Sequence, residues 1–123
     1  MSFRKFDHEN FLFIKYKKET VSDLEKLRKE LMEESGGGRG SRDTVLDCSL
    51  VMVISSMEIG IIIQFLKTLP GSGRFLRLVT SSYVRELLIA MNLHKISNLI
   101  IYDNIKPVME YFSCTDDSLM ASA

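Results

Sequence analysis

The sequence predicts an α/β fold: one domain with a mixed, mostly parallel sheet, an N-terminal hairpin and about four helices. Three observations lead there. Short runs of β-forming residues alternate with segments of helical periodicity. Two capping-box spacings, Thr20 with Asp23 and Ser55 with Glu58, mark helix starts. Glycine- or proline-rich breaks separate the segments. A chain of 123 residues, 46% of them hydrophobic, suffices for one ordinary core, expected over residues 1–113, with 114–123 a polar tail.

Ser2–Phe6 and Phe11–Tyr16 are aromatic-rich runs around the turn composition Asp7-His8-Glu9-Asn10, the pattern of a hairpin, with His8 exposed in its turn. A helix follows from Val21 to Glu34. Its Val21, Leu24, Leu27, Arg28, Leu31 and Met32 share one arc, and charged residues cover the other. Ser35 to Ser41 reads as a linker. A phosphate-cradling glycine loop would follow a strand and open a helix, whereas this stretch does the reverse. Asp43–Asp47 has a buried-strand pattern, and Cys48 to Ile54 leads on to the serine pair. The next helix, Ser56 to about Leu69, turns Ile59, Ile62, Ile63 and Leu66 to the core. Pro70 to Gly73 ends it. Arg74–Val79 is a strand, Ser81 or Ser82 caps a helix carrying Val84, Leu87, Leu88 and Met91, and Asn92 tolerates the left-handed conformation after it. Asn98–Tyr102 is the last strand. Asp103 or Asn104 then caps a helix with Pro107 in its first turn and Ile105, Val108, Met109 and Phe112 facing inward. No internal repeat is visible.

The functional stretch is Val53 to Ile63. Ser55 caps, leaving Ser56 in the first turn, where unpaired N–H groups and the helix dipole favour an anion such as a phosphoryl group. Met57, Ile61, Gln64 and Thr68 fall on the arc opposite the core, with Phe65 at its flank. A mixed apolar and polar face of this kind is either covered by other elements of the fold or left open as a docking surface.

Other function classes find little support. Sixteen basic and sixteen acidic residues cancel, which argues against nucleic acid or an anionic membrane as partner. The densest basic group, Lys15, Lys17 and Lys18, reads as a solvated strand end. Cys48 and Cys114 are too few for a disulfide framework or a zinc site, and no metal or cofactor is expected. No apolar run approaches the roughly 20 residues of a membrane span. A cytoplasmic protein is expected.

From about Phe11 to Phe112 the chain resembles the STAS domain of bacterial anti-sigma factor antagonists. Val45-Leu46-Asp47-Cys48-Ser49 is similar to the family's strand ending in Asp and a small polar residue. Val53-Ile54-Ser55-Ser56-Met57-Glu58-Ile59-Gly60 is similar to its signature of Ile, Asp or Ser, Ser, a small residue, Gly and Leu, with Glu58 where the family usually has Gly. Val84–Leu93 resembles its helix with paired leucines. The resemblance implies a non-enzymatic regulator. Ser56 matches the serine phosphorylated by a partner anti-sigma factor kinase, which brings its own ATP and Mg²⁺. Ser55, Met57, Glu58, Ile61, Gln64 and Phe65 would surround that serine at the partner surface. Unmodified, such proteins bind the anti-sigma factor and free the sigma factor; phosphorylation reverses this.

Three alternatives stand beside it. One is a scaffold of the same fold that works without phosphorylation. Another is a receiver-like phosphoacceptor using Asp47, Thr80 and Lys106, although Lys17-Lys18-Glu19 stands where an acidic Mg²⁺ pair belongs. The third is a serine-nucleophile enzyme, for which neither His8 nor His94 is well placed as a base.

Overall fold

Five strands form one sheet in chain order: β1 (Phe3–Asp7), β2 (Phe11–Tyr16), β3 (Asp43–Cys48), β4 (Leu76–Thr80) and β5 (Leu99–Tyr102). The first pair is antiparallel, with Asp7 opposite Leu12, and the others are parallel. Among the described residues four α-helices accompany them, α1 (Val21–Ser35), α2 (Ser56–Leu66), α3 (Ser82–Ala90) and α4 (Lys106–Tyr111). The architecture is the expected one. This computed structural model describes residues 3–8, 10–36 and 42–112. Ser2, Glu9, most of the expected linker and the expected tail with Cys114 lie outside the described residues.

Strand order decides where the helices lie. Each parallel connection steps one strand in the same direction, so right-handed crossovers place α1, α2 and α3 on the same face. The period-2 alternation of the strands supplies the core beneath them. Leu12, Ile14, Leu46, Leu76 and Leu78 meet Leu24, Leu27 and Leu31 of α1, Ile59, Ile62 and Leu66 of α2, and Val84 and Leu88 of α3. On the reverse face Phe11, Phe13, Val45 and Val79 form a smaller cluster, closed by Val108 and Met109 of α4.

Several boundaries and faces differ from the sequence reading, each for a local reason. The buried stripe of α1 is narrower, because Val21, Arg28 and Met32 are exposed. Two acids are buried in that helix instead. Asp23 accepts the N–H groups of Glu19 and Thr20, each at 2.9 Å, and Glu34 receives Arg42. Helix α2 ends at Leu66 rather than Leu69, since Thr68 and Leu69 bond back to the carbonyls of Phe65 and Leu66, tightening the last turn to 3-10 geometry. Strand β4 begins after Arg74, whose Nη1 donates to the Glu34 carbonyl at 3.0 Å. The residue before α4 is Ile105, though Asn104 Oδ1 still accepts the Lys106 N–H at 2.9 Å. His8 is half-buried rather than exposed: it stacks on Phe11 at 4.7 Å and its Nδ1 accepts the Asn10 N–H. Asn92 takes the left-handed conformation expected of it, at φ 61°.

Two buried arginines fasten the end of the sheet where β3 begins. Arg42 donates twice to Glu34, at 2.7 Å each, to the His8 carbonyl at 2.8 Å, and to Asp7. Arg77 donates to Asp43 at 2.8 Å and to the Tyr102 hydroxyl at 2.5 Å, and the Tyr111 ring of α4 lies 3.8 Å above its guanidinium.

Removing one partner of a buried pair leaves a desolvated charge. Arg42→Ala is therefore expected to lower unfolding free energy by about 3–5 kcal/mol in urea denaturation. Lys5→Ala breaks the more exposed Lys5–Glu30 pair and should cost less than about 1 kcal/mol.

Candidate functional site

The site grows from a buried carboxylate at the start of α2. Ser55 is extended, at φ −92° and ψ 163°, and its hydroxyl accepts the Glu58 N–H at 3.2 Å. Glu58 Oε1 accepts the Ser55 N–H at 2.9 Å and the Ser55 hydroxyl at 2.8 Å. The capping box expected from this spacing is formed. Oε2 of Glu58 meanwhile accepts the Tyr16 hydroxyl at 2.7 Å. Glu58 and Tyr16 are both buried. Burial, and then the Glu58 carboxylate, push the Tyr16 phenol well above its ordinary pKa. Cys48, at the end of β3, has its thiol pushed up chiefly by burial, with Asp47 and Glu58 adding to it.

A seven-residue connection, 49–55, joins β3 to α2 over this network. Val51 is tied down at both ends: its N–H bonds to the Cys48 carbonyl at 2.9 Å and its carbonyl accepts the Ser81 hydroxyl at 3.2 Å. Its neighbours turn outward. Met52 is 65% exposed and Val53 77%, and Leu50 and Met57 are each more than half exposed. Between this loop and Lys17 and Lys18 lies an open groove of about 360 Å³.

The structure divides the residues expected at the partner surface. Ser56, Met57 and Gln64 are exposed and Ser55 is half-buried. Glu58, Ile61 and Phe65 are not outward and need correction: all three are buried, the last two within the core beneath the helices. The cause is that α2 packs beside α1 as well as on the sheet, so its buried arc spans Ile59, Ile61, Ile62, Phe65 and Leu66. What stays outside is a narrower stripe of Ser56, Met57, Gly60, Gln64 and Lys67. A Cβ on Gly60 would meet nothing within 4 Å, so that stretch of helix lies open.

Sequence reasoning began the functional stretch at Val53 and missed the loop side chains Leu50 and Met52 just ahead of it. The available signal was an apolar run between a strand end and a helix cap with no clear facing pattern. It also missed Tyr16 as the partner of Glu58, a contact across 42 positions. Asp47 is buried, and its Oδ1 accepts the Ser49 N–H at 3.0 Å, which is poor placement for a phosphoacceptor.

Comparison with solved structures agrees with this architecture. A crystal structure of a candidate anti-sigma factor antagonist from Thermotoga maritima has 28% identity and a TM-score of 0.71, covering 89% of this chain and 92% of that one. An anti-sigma-factor antagonist (STAS) domain protein from Planctomyces limnophilus has a TM-score of 0.68 at 13% identity, covering 88% and 96%. The fold is that of a STAS domain. An anti-sigma factor antagonist from Mycobacterium paratuberculosis shares it at a TM-score of 0.65 and 16% identity, over 98% of this chain and 92% of its own. No protein-family model matches the sequence, and no curated protein matches it. Among the described residues, no helix is long and apolar enough to cross a membrane, and no group of three or more His, Cys, Asp or Glu could hold a metal ion.

Tyr16→Phe removes one donor from a buried carboxylate and should lower stability by about 1–3 kcal/mol at neutral pH. The raised phenol also sets a sign. Its contribution is complete below the unfolded tyrosine pKa of about 10 and is lost as pH climbs from there toward the higher folded value. Stability against urea should thus fall above about pH 10 in the parent protein and fall less in Tyr16→Phe. Cys48→Ala corrects for the thiol, which titrates in the same direction.

Proposed function

We propose that this chain is a non-enzymatic regulator acting as an anti-sigma factor antagonist: unmodified, it docks through the outer side of α2 and the preceding loop onto a kinase-type anti-sigma factor, and phosphorylation of Ser56 releases it. The observation that carries the reading is the exposed Ser56 hydroxyl in the first turn of α2, beside the exposed apolar side chains of Val53 and Met57. A phosphoryl group there would bring a charge of about −1.5 to −2 into an apolar contact surface. ATP and Mg²⁺ would belong to the partner, and the action would be cytoplasmic.

The anti-sigma factor antagonists among the solved neighbours support this role. The two histidines lie away from the serine pair: His8 is stacked in the hairpin turn, and His94 is exposed in the 3-10 turn Leu93–Lys95.

The test is an affinity capture from extract of the native organism with the parent protein, Ser56→Ala and Ser56→Asp, read by mass spectrometry. Parent and Ser56→Ala should recover an anti-sigma factor with a kinase domain, and Ser56→Asp should recover at least about tenfold less. Phosphate should appear on Ser56 of the parent alone. Equal recovery by all three, with Ser56 unmodified, would instead make the protein a phosphorylation-independent scaffold.

A further inference from the structure

We propose that Lys17 and Lys18 set the chemistry of the partner: the segment that docks on the 50–53 loop carries acidic side chains beside an apolar anchor. The inference rests on the docking reading above and specifies what docks.

The bond from Tyr16 to Glu58 fixes the end of β2 against the first turn of α2, so the next two residues of the chain arrive at the edge of the 49–55 loop. Lys17 and Lys18, both exposed, flank the groove, with Leu50, Met52 and Val53 among its other lining residues. No charged residue occurs from Ser49 to Met57. Glu58 also lines the groove, but both its oxygens already accept hydrogen bonds from within the domain. Glu19, next after the lysines, does not line it. An incoming segment therefore meets apolar surface with cations along one side. An apolar side chain flanked by carboxylates matches both features, whereas a basic segment would be repelled. An anionic lipid surface fits less well. Lipid-binding clusters hold about 4–8 basic residues, each worth about 1 kcal/mol near the surface, and here there are two.

The test uses two synthetic peptides of equal length with the same leucine and phenylalanine face, one flanked by glutamates and the other by lysines, titrated into isotopically labelled protein and followed by amide NMR shifts. The acidic peptide should give saturable shifts at Lys17, Lys18 and residues 50–57. Its affinity should fall about tenfold as salt rises from about 0.1 M to about 1 M and the screening length shrinks from about 10 Å to about 3 Å. The double variant Lys17→Glu/Lys18→Glu should bind the acidic peptide at least about tenfold more weakly and favour the basic one. Equal binding of the two peptides by the parent protein, no saturable binding, shifts confined to another surface, or stronger binding to phosphatidylserine vesicles than to the acidic peptide would each overturn the inference. Failure here can be told from failure of the docking reading by running the lysine variant in the capture experiment. Loss of the partner on Ser56→Asp but not on the lysine change sinks only the present inference, whereas retention by both variants sinks the two together.

Discussion

A carboxylate taken out of water must be met by donors or it destabilises the fold that buries it, and Glu58 sets that condition for the whole functional end of this domain. Its donors come from two directions. Ser55 supplies its N–H and hydroxyl from the helix cap, and Tyr16 supplies its phenol from the end of β2. One side chain thereby ties a strand, a loop and a helix start into a fixed relation. The direction of Glu58 also fixes that of its neighbours. At roughly 100° per residue, positions two apart on a helix point about 200° away from each other. With Glu58 turned into the core, Ser56 and Gly60 must face out, as they do.

The two ends of the sheet are built differently. Near the start of β3, the buried Arg42 and Arg77 hold the buried acids Glu34 and Asp43 in directional pairs and also reach the more exposed Asp7 and Tyr102. At the opposite end, β2, β3 and β4 run out into Lys17, Ser49 and Ser81, and the β3–α2 connection leaves three large apolar side chains, Leu50, Met52 and Val53, exposed. Parallel strands place their C-terminal ends together, and it is there that crevices open in α/β folds. The ion pairs hold the far end firm, so the loop end can present apolar surface without the sheet depending on it.

The order of elements could be read from the sequence because each element declares itself locally. Thr20 and Ser55 announce their helices within three residues, and the β-forming runs are short and cleanly bounded. Which face of α2 is covered could not be read in this way. Ile61 lies on an arc that helical periodicity gives to solvent, with Phe65 at its flank, yet both are buried in the core, and α1 packs alongside α2, a fact of tertiary arrangement. Glu58 is the more instructive case. The capping spacing revealed its bond to Ser55, whereas its burial depends on Tyr16, distant in the chain and signalled by nothing nearby. Lys17 and Lys18 likewise look like an ordinary solvated strand end until the fold brings the apolar loop beside them.

This arrangement also determines what a charge on Ser56 can and cannot change. The cap of α2 is made by Ser55 and Glu58, and Ser56 takes no part in their bonds. The Ser55 hydroxyl is already engaged as both donor and acceptor, so it has no second proton to offer a neighbouring phosphate. A phosphoryl group at Ser56 would thus leave the helix start intact. Glu58 would oppose it, yet that carboxylate is held inward by Tyr16 while the phosphate would project into solvent. Its influence would fall on the surface it shares with Met57 and Val53. A switch at Ser56 would work by changing what the surface accepts, with the fold beneath it the same in both states.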